Sequence, residues 1–218
     1  MKEEALHFNF KARYYKLGEI STATKNIWFV IHGYGQLAQY FLKKFAPLEN
    51  SETCIIAPEG LSRFYLEDVT KRNQSGNNKV GATWMTRENR LMDIDNYITY
   101  LNQIYQTEIP DSFQGEITLC GFSQGGATVS RWALDGKIKF HRLILWAGIF
   151  PNDMDFEKGA ALLQDKEVIE VFGNQDPFLT DARVSEMMQL NTKLNLPIKI
   201  VRFEGGHEIN ADTLVKLR

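Results

Sequence analysis

Four short segments carry the residue types that nucleophilic acyl chemistry needs: His32-Gly33-Tyr34-Gly35, Gly121-Phe122-Ser123-Gln124-Gly125, Asn174-Gln175-Asp176-Pro177 and Gly205-Gly206-His207. The second has the spacing of a nucleophile elbow, a serine with glycine two positions to either side. A serine hydroxyl is a poor nucleophile at neutral pH and needs a base within hydrogen-bond reach. An imidazole can take that proton and return it to a leaving group, and a buried carboxylate can hold the ring in the useful tautomer. The competing role for Ser123 is a helix N-cap, a common task for serine where a strand turns into a helix. His7 and His141 fall in or before strands and away from this constellation, and His32 is placed to support the glycine loop by hydrogen bonding, which leaves His207 as the candidate base. For the acid, Asp176 directly follows an apolar run and precedes Pro177, while Asp153 follows the preceding strand and Asp181 is placed to cap a helix.

The elements that position these residues follow from hydrophobic periodicity. Ile117 to Cys120, Ile27 to Ile31, Thr53 to Ala57, Leu143 to Gly148, Glu167 to Gly173 and Ile198 to Phe203 are short apolar runs of the kind that form buried strands. Phe8, Phe10, Ala12 and Tyr14 alternate with polar residues, as a half-buried edge strand does. Helical spacing appears at Leu37, Phe41, Phe45 and Leu48, with Pro47 at the end, and at Leu91, Ile94, Ile98, Leu101 and Tyr105. Further helices are expected over 124–134, 155–163 and 181–194, and a C-terminal one carries Ile209, Leu214 and Leu217. Residues 61–83 show no period and are expected to form an irregular loop near the site. Alternating strands and helices predict a three-layer α/β fold in one domain, 1–218, with a mostly parallel central sheet and helices on both faces. Functional residues then belong at the carboxyl ends of the strands, where all four segments lie.

Composition narrows the function. A net charge of −2 over 218 residues argues against nucleic-acid binding and against attraction to an anionic membrane. No window is apolar enough to span a bilayer, and the acidic start, Lys2-Glu3-Glu4, is unlike a secretory leader. A cytoplasmic location is the expectation. Cys54 and Cys120 both fall in apolar runs and read as small core residues. Metal-ligand spacings are absent from the sequence.

With Ile31-His32-Gly33-Tyr34-Gly35, Ala57-Pro58-Glu59-Gly60, Gly121 to Gly126, Gly173 to Pro177 and Gly206-His207 in view, the chain resembles the carboxylesterase, phospholipase and acyl-protein thioesterase branch of the α/β-hydrolases. The resemblance runs from about Ile27 to the end. It implies Ser123 as nucleophile, Asp176 as acid and His207 as base, with backbone N–H groups of Tyr34 and Gln124 forming the oxyanion hole. It also implies a small-molecule acyl ester or thioester as substrate, without a cofactor. The 61–83 segment differs from the family's usual stretch there, so substrate range does not carry over.

Trp84, Met85, Phe122, Trp146 and Phe178 flank the strand ends. Trp84, Phe122 and Phe178 are the candidate substrate-pocket residues, Trp84 first because it terminates the variable loop. Arg63, Lys71, Arg72 and Lys79 in that loop read as solvated surface or as an attractor for a negatively charged substrate. Two rival functions use the same features. Gly33-x-Gly35-x-x-Ala38 after a strand resembles a dinucleotide fingerprint, but the acidic partner expected about 20 residues on is replaced by Thr53. A hydrolase-fold module that only binds a partner is the other.

Overall fold

The run Ile27-Trp28-Phe29-Val30-Ile31 builds β2 (Asn26–Ile31), and its side chains divide by parity between two cores. Ile27, Phe29 and Ile31 enter one core, Trp28 and Val30 the other, as a strand covered on both faces requires. The computed structural model describes residues 1–71 and 78–218. Around β2 the main sheet has seven strands, in the order β1-β3-β2-β6-β7-β8-β9. These are β1 (Tyr14–Leu17), β3 (Thr53–Pro58), β6 (Glu116–Phe122), β7 (Arg142–Trp146), β8 (Glu167–Gly173) and β9 (Ile198–Phe203). Every pair is parallel except β1 with β3.

One face carries α2 (Arg90–Glu108), α3 (Gln124–Asp135), α4 (Phe156–Leu163) and α5 (Asp181–Leu194), packed through Tyr97, Leu101, Trp132, Leu163 and Leu190. The other carries α1 (Ala38–Leu42) and α6 (Ala211–Lys216), packed through Phe41, Phe45, Leu48 and Leu214. This is the three-layer α/β arrangement that the alternation of elements predicts. Strand order reverses between β2 and β6, because β3 lies to one side of β2 and β6 to the other. The crevice at the carboxyl ends of those two strands is where such sheets place their ligands.

Several expectations are corrected. Phe8 and Phe10 are exposed, and the edge strand is only Tyr14–Leu17, paired antiparallel with Ile55 to Pro58. The first helix stops at Leu42 and tightens into a 3-10 turn, Lys43–Leu48, that contains Pro47. Proline has no N–H for an α-helical bond and crowds the carbonyl four residues earlier. The 61–83 segment is not irregular throughout: β4 (Ser62–Tyr65) and β5 (Val80–Thr83) form an antiparallel hairpin. Its ladder escaped the sequence because neither strand has a clean alternating face; the hairpin instead docks by backbone, with Gly35 N donating to Ala82 O at 2.9 Å and Ala82 N to Gln36 O at 3.0 Å. Thr180, not Asp181, caps α5, its side chain accepting from Arg183 N.

Candidate active site

Ser123 sits between β6 and α3 with φ 54° and ψ −116°, backbone values that strain a residue with a Cβ. Its neighbours hold it there. Ser123 N donates to Trp146 O and Gly126 N donates to Ser123 O, both at 2.9 Å. A Cβ on Gly125 would lie 2.2 Å from Ile31 O, so only glycine lets α3 start this close to the end of β2. The Ser123 side chain makes no capping bond to α3, and its hydroxyl is therefore not spent as an N-cap.

The candidate base and acid meet on adjacent strand ends. Gly173, the last residue of β8, pairs with Phe203, the last of β9. A Cβ on Gly173 would come within 2.3 Å of the carbonyls of Gly205 and Gly206. Glycine thus lets the loop after β9 lie directly on the turn after β8. There His207 Nδ1 and Asp176 Oδ2 are 2.7 Å apart. A carboxylate can only accept, so Nδ1 carries the proton and Nε2 keeps its lone pair for an incoming one. The other Asp176 oxygen accepts from Phe178 N at 2.8 Å, and the carboxylate is only 2% exposed. The imidazole is flanked by the rings of Phe122 and Phe178, with centroids 4.8 and 4.7 Å away. Trp146 Nε1 donates to Glu208 O at 2.8 Å and anchors the same loop from below. Among the described residues no hydrogen bond joins Ser123 Oγ to His207; such bonds are often long before substrate binds.

The glycine loop after β2 completes the crevice. A Cβ on Gly33 would stand 3.2 Å from Ser123 Cβ, so this backbone abuts the serine. Gly33 N donates to Gln36 Oε1 at 2.8 Å and Gly35 N is taken by Ala82 O. Among the described residues Tyr34 N has no acceptor, which leaves it available to an oxyanion. Beneath the loop His32 is fully buried. Its Nε2 accepts from Gly60 N at 3.0 Å, so Nδ1 is the protonated nitrogen and donates to Gly33 O at 2.8 Å. Burial pushes its pKa down to about 4, and His32 is a neutral strut. Trp84 Nε1 donates to His32 O at 2.9 Å. The Gln124 side chain donates to Thr83 Oγ1 at 2.9 Å and Met85 O at 3.0 Å, clipping the start of α3 to the end of the hairpin. Among the described residues no cluster of His, Cys, Asp and Glu could hold a metal ion.

A strained serine, an imidazole with a free nitrogen, a fixed carboxylate and a spare N–H around one crevice are the parts of acyl transfer. The profile of the phospholipase/carboxylesterase family matches residues 19–218. The chain belongs to the phospholipase/carboxylesterase family. Solved structures agree on the fold. Acyl-protein thioesterase 2 of Zea mays is 14% identical, with 95% of this chain and 96% of that one covered at a TM-score of 0.69. A phospholipase/carboxylesterase of Dyadobacter fermentans is 17% identical over 97% and 96% at 0.63, and esterase PE8 is 18% identical over 95% and 96% at 0.65. No curated protein matches the sequence.

Within this phospholipase/carboxylesterase chain the three candidate pocket aromatics have different positions. Phe178 is 67% exposed and stands over His207. Phe122 is buried beneath the same ring. Trp84, at 2% exposed, is packed under the glycine loop 5.0 Å from the His32 ring. It stiffens that loop instead of lining an open pocket. Asp153, the alternative acid, is taken by Arg90 and Arg131; partial burial works against its charge, but the two guanidiniums win and hold its pKa below the usual carboxylate value. Burial pushes the Cys54 thiol up to about 11 and raises Cys120 as well, which fits their core role. Arg63 reaches Glu59 at 3.4 Å and Lys71 reaches Asp68 at 4.0 Å, while Arg72 lies outside the described residues. Sequence reasoning passed over Gln36, whose side chain fixes Gly33, and gave Trp146 no task. A lone glutamine and a buried tryptophan carry no spacing that would single them out.

Proposed function

We propose that this chain is a serine hydrolase that cleaves carboxylic esters or thioesters through an acyl-enzyme on Ser123. His207 Nε2 takes the hydroxyl proton as Oγ bonds to the acyl carbon. The developing oxyanion is held by Tyr34 N–H and Gln124 N–H, Gln124 being the first residue of α3. Asp176 stabilises the imidazolium, which then gives its proton to the departing alcohol or thiol. Water, deprotonated by the same nitrogen, attacks the acyl carbon and frees the acid and Ser123. The balance closes on the chain's own groups, substrate and water. The substrate is a small-molecule acyl compound, and the site of action the cytoplasm.

The observation that carries this reading is the 2.7 Å His207–Asp176 pair, held by its loops at the rim that bears Ser123. A non-catalytic binding module has no use for a left-handed serine beside an oriented imidazole, and the loop that mimics a dinucleotide fingerprint is occupied by its contacts with Ser123 and the hairpin. A fluorophosphonate probe is expected to label the wild-type protein and not Ser123→Ala. Failure of the folded wild type to label would overturn the reading.

A further inference from the structure

On the far side of the glycine loop from His207, α1 and the β4–β5 hairpin enclose a cleft of about 540 Å³, a volume typical of small-molecule sites. Its walls are largely apolar, with Leu37 and Phe41 on the α1 side and Leu66 and Val80 on the hairpin side, beside the polar groups of Gln36, Tyr40 and Asn78. Lys44 and Lys79 also line it, one from each wall. Among the described residues neither ammonium has an acidic partner, and no acidic side chain lines the cleft. Lys44 and Lys79 are both exposed, and two cations on the walls of one slot give it a positive potential that favours an anion. Arg63 and Lys71, described cations of the same 61–83 segment, are already paired, with the buried Glu59 carboxylate and with Asp68.

We infer that this cleft is the acyl subsite of the enzyme and that it takes an acyl chain ending in a carboxylate, with methylenes against Leu37, Phe41, Leu66 and Val80 and the carboxylate between Lys44 and Lys79. The inference rests on the esterase reading above. The side of the substrate follows from strand order. His207 must protonate the leaving group, and its loop belongs to β8 and β9, on one side of β6. The cleft belongs to elements that follow β2 and β3, on the other side of β6. With the carbonyl oxygen directed at Tyr34 N, the leaving group faces β8–β9 and the acyl chain runs past Gly35 to Leu37 into the cleft.

The test uses three esters on the full chain at low and high salt: a mono-p-nitrophenyl ester of a straight-chain dicarboxylic acid, the p-nitrophenyl ester of the matching monocarboxylic acid, and 4-acetoxybenzoate, which carries its anion on the alcohol side. The wild type is expected to favour the dicarboxylic monoester at low salt and lose that preference as salt rises. In Lys44→Gln/Lys79→Gln its KM is expected to rise about tenfold with kcat nearly unchanged, since exposed charge pairs contribute modestly. The neutral ester, which reports that the variant is folded, and 4-acetoxybenzoate are expected to stay within about twofold of wild type. Equal losses on charged and neutral esters, no change on any, or a loss confined to 4-acetoxybenzoate would each overturn the subsite. Absence of Ser123-dependent turnover of every ester would instead overturn the esterase reading beneath it.

Discussion

On the β8–β9 side of Ser123, the candidate acid and base stand on turns bound by backbone hydrogen bonds and by glycine contacts that leave no room for a Cβ. On the β2–β3 side, the walls of the crevice are a one-turn helix and a small hairpin, and between them lies an open cleft. The first side fixes the His207 ring against Asp176 to within a hydrogen-bond length. The second fixes only the backbone of the glycine loop, through His32, Gln36 and Ala82, and leaves its side chains free to vary. The side that holds the candidate acid and base is over-determined by its contacts, and the side that carries the cleft is loosely built.

The sharpest way to break this contrast is within the tight side. Asp176→Asn keeps the shape but removes the acceptor that fixes the His207 tautomer, and kcat is expected to fall about 10³- to 10⁴-fold with little change in thermal midpoint. Asp153→Asn, which only loosens the pairing with Arg90 and Arg131, is expected to change ester turnover by less than about threefold. If their effects are exchanged, the acid assignment is wrong. Next in size is Gly33→Ala. The new methyl would stand 3.0 Å from the Phe122 ring and 3.2 Å from Ser123 Cβ, and a loop tilted away from the oxyanion is expected to lower kcat about a hundredfold. Near wild-type kcat would show that this backbone is not the oxyanion donor.

A third test concerns a soft spot in β8. Glu170 is fully buried and accepts from Asn191 Nδ2 at 2.8 Å, while Glu170 Oε1 and Asn191 Oδ1 have no partner. Burial raises its pKa from 4.5 to about 7 against the opposing pull of that hydrogen bond. The protonated acid carries no buried charge and gains a donor that the carboxylate lacks. A carboxyl whose folded pKa is raised stabilises fully below its unfolded value, and the contribution is lost as pH rises from 4.5 towards 7. Glu170→Gln, which donates at every pH, is expected to remove this loss, on the order of 3 kcal/mol at pH 9, with kcat at pH 6 unchanged. Denaturant curves at pH 5 and 9 that shift in parallel would refute it. The smallest expected effect belongs to the loose side. Tyr34 is 61% exposed and rests on Phe64; if only its backbone N–H acts, Tyr34→Ala costs a small neutral ester less than about threefold in kcat/KM.

The same contrast decides what could be read from sequence. The central strands were legible because burial on both faces writes an unbroken apolar run, as in Ile27 to Ile31. The meeting of the candidate residues was legible because they fall at strand ends and a tight turn demands glycine, as around Ser123. The hairpin was not, since Ser62 to Tyr65 and Val80 to Thr83 are held by main-chain bonds that leave no pattern in residue type. Trp84 misled for a related reason: its position at the loop's end was correct, but the direction of its side chain depends on a hydrogen bond to the His32 carbonyl. Lys44 became informative only when α1 and the hairpin were placed opposite each other.

His32 has one further consequence, for the proton inventory of unfolding. Its folded pKa is depressed from 6.5 to about 4, so the unfolded chain takes up a proton there anywhere between those values. Glu170, raised from 4.5 to about 7, releases one on unfolding over nearly the same interval. From about pH 4.5 to 6.5 the two cancel, and denaturation passes a proton from a strand to a strut with no net exchange with the buffer. Through these two groups the stability curve should be nearly flat in mild acid.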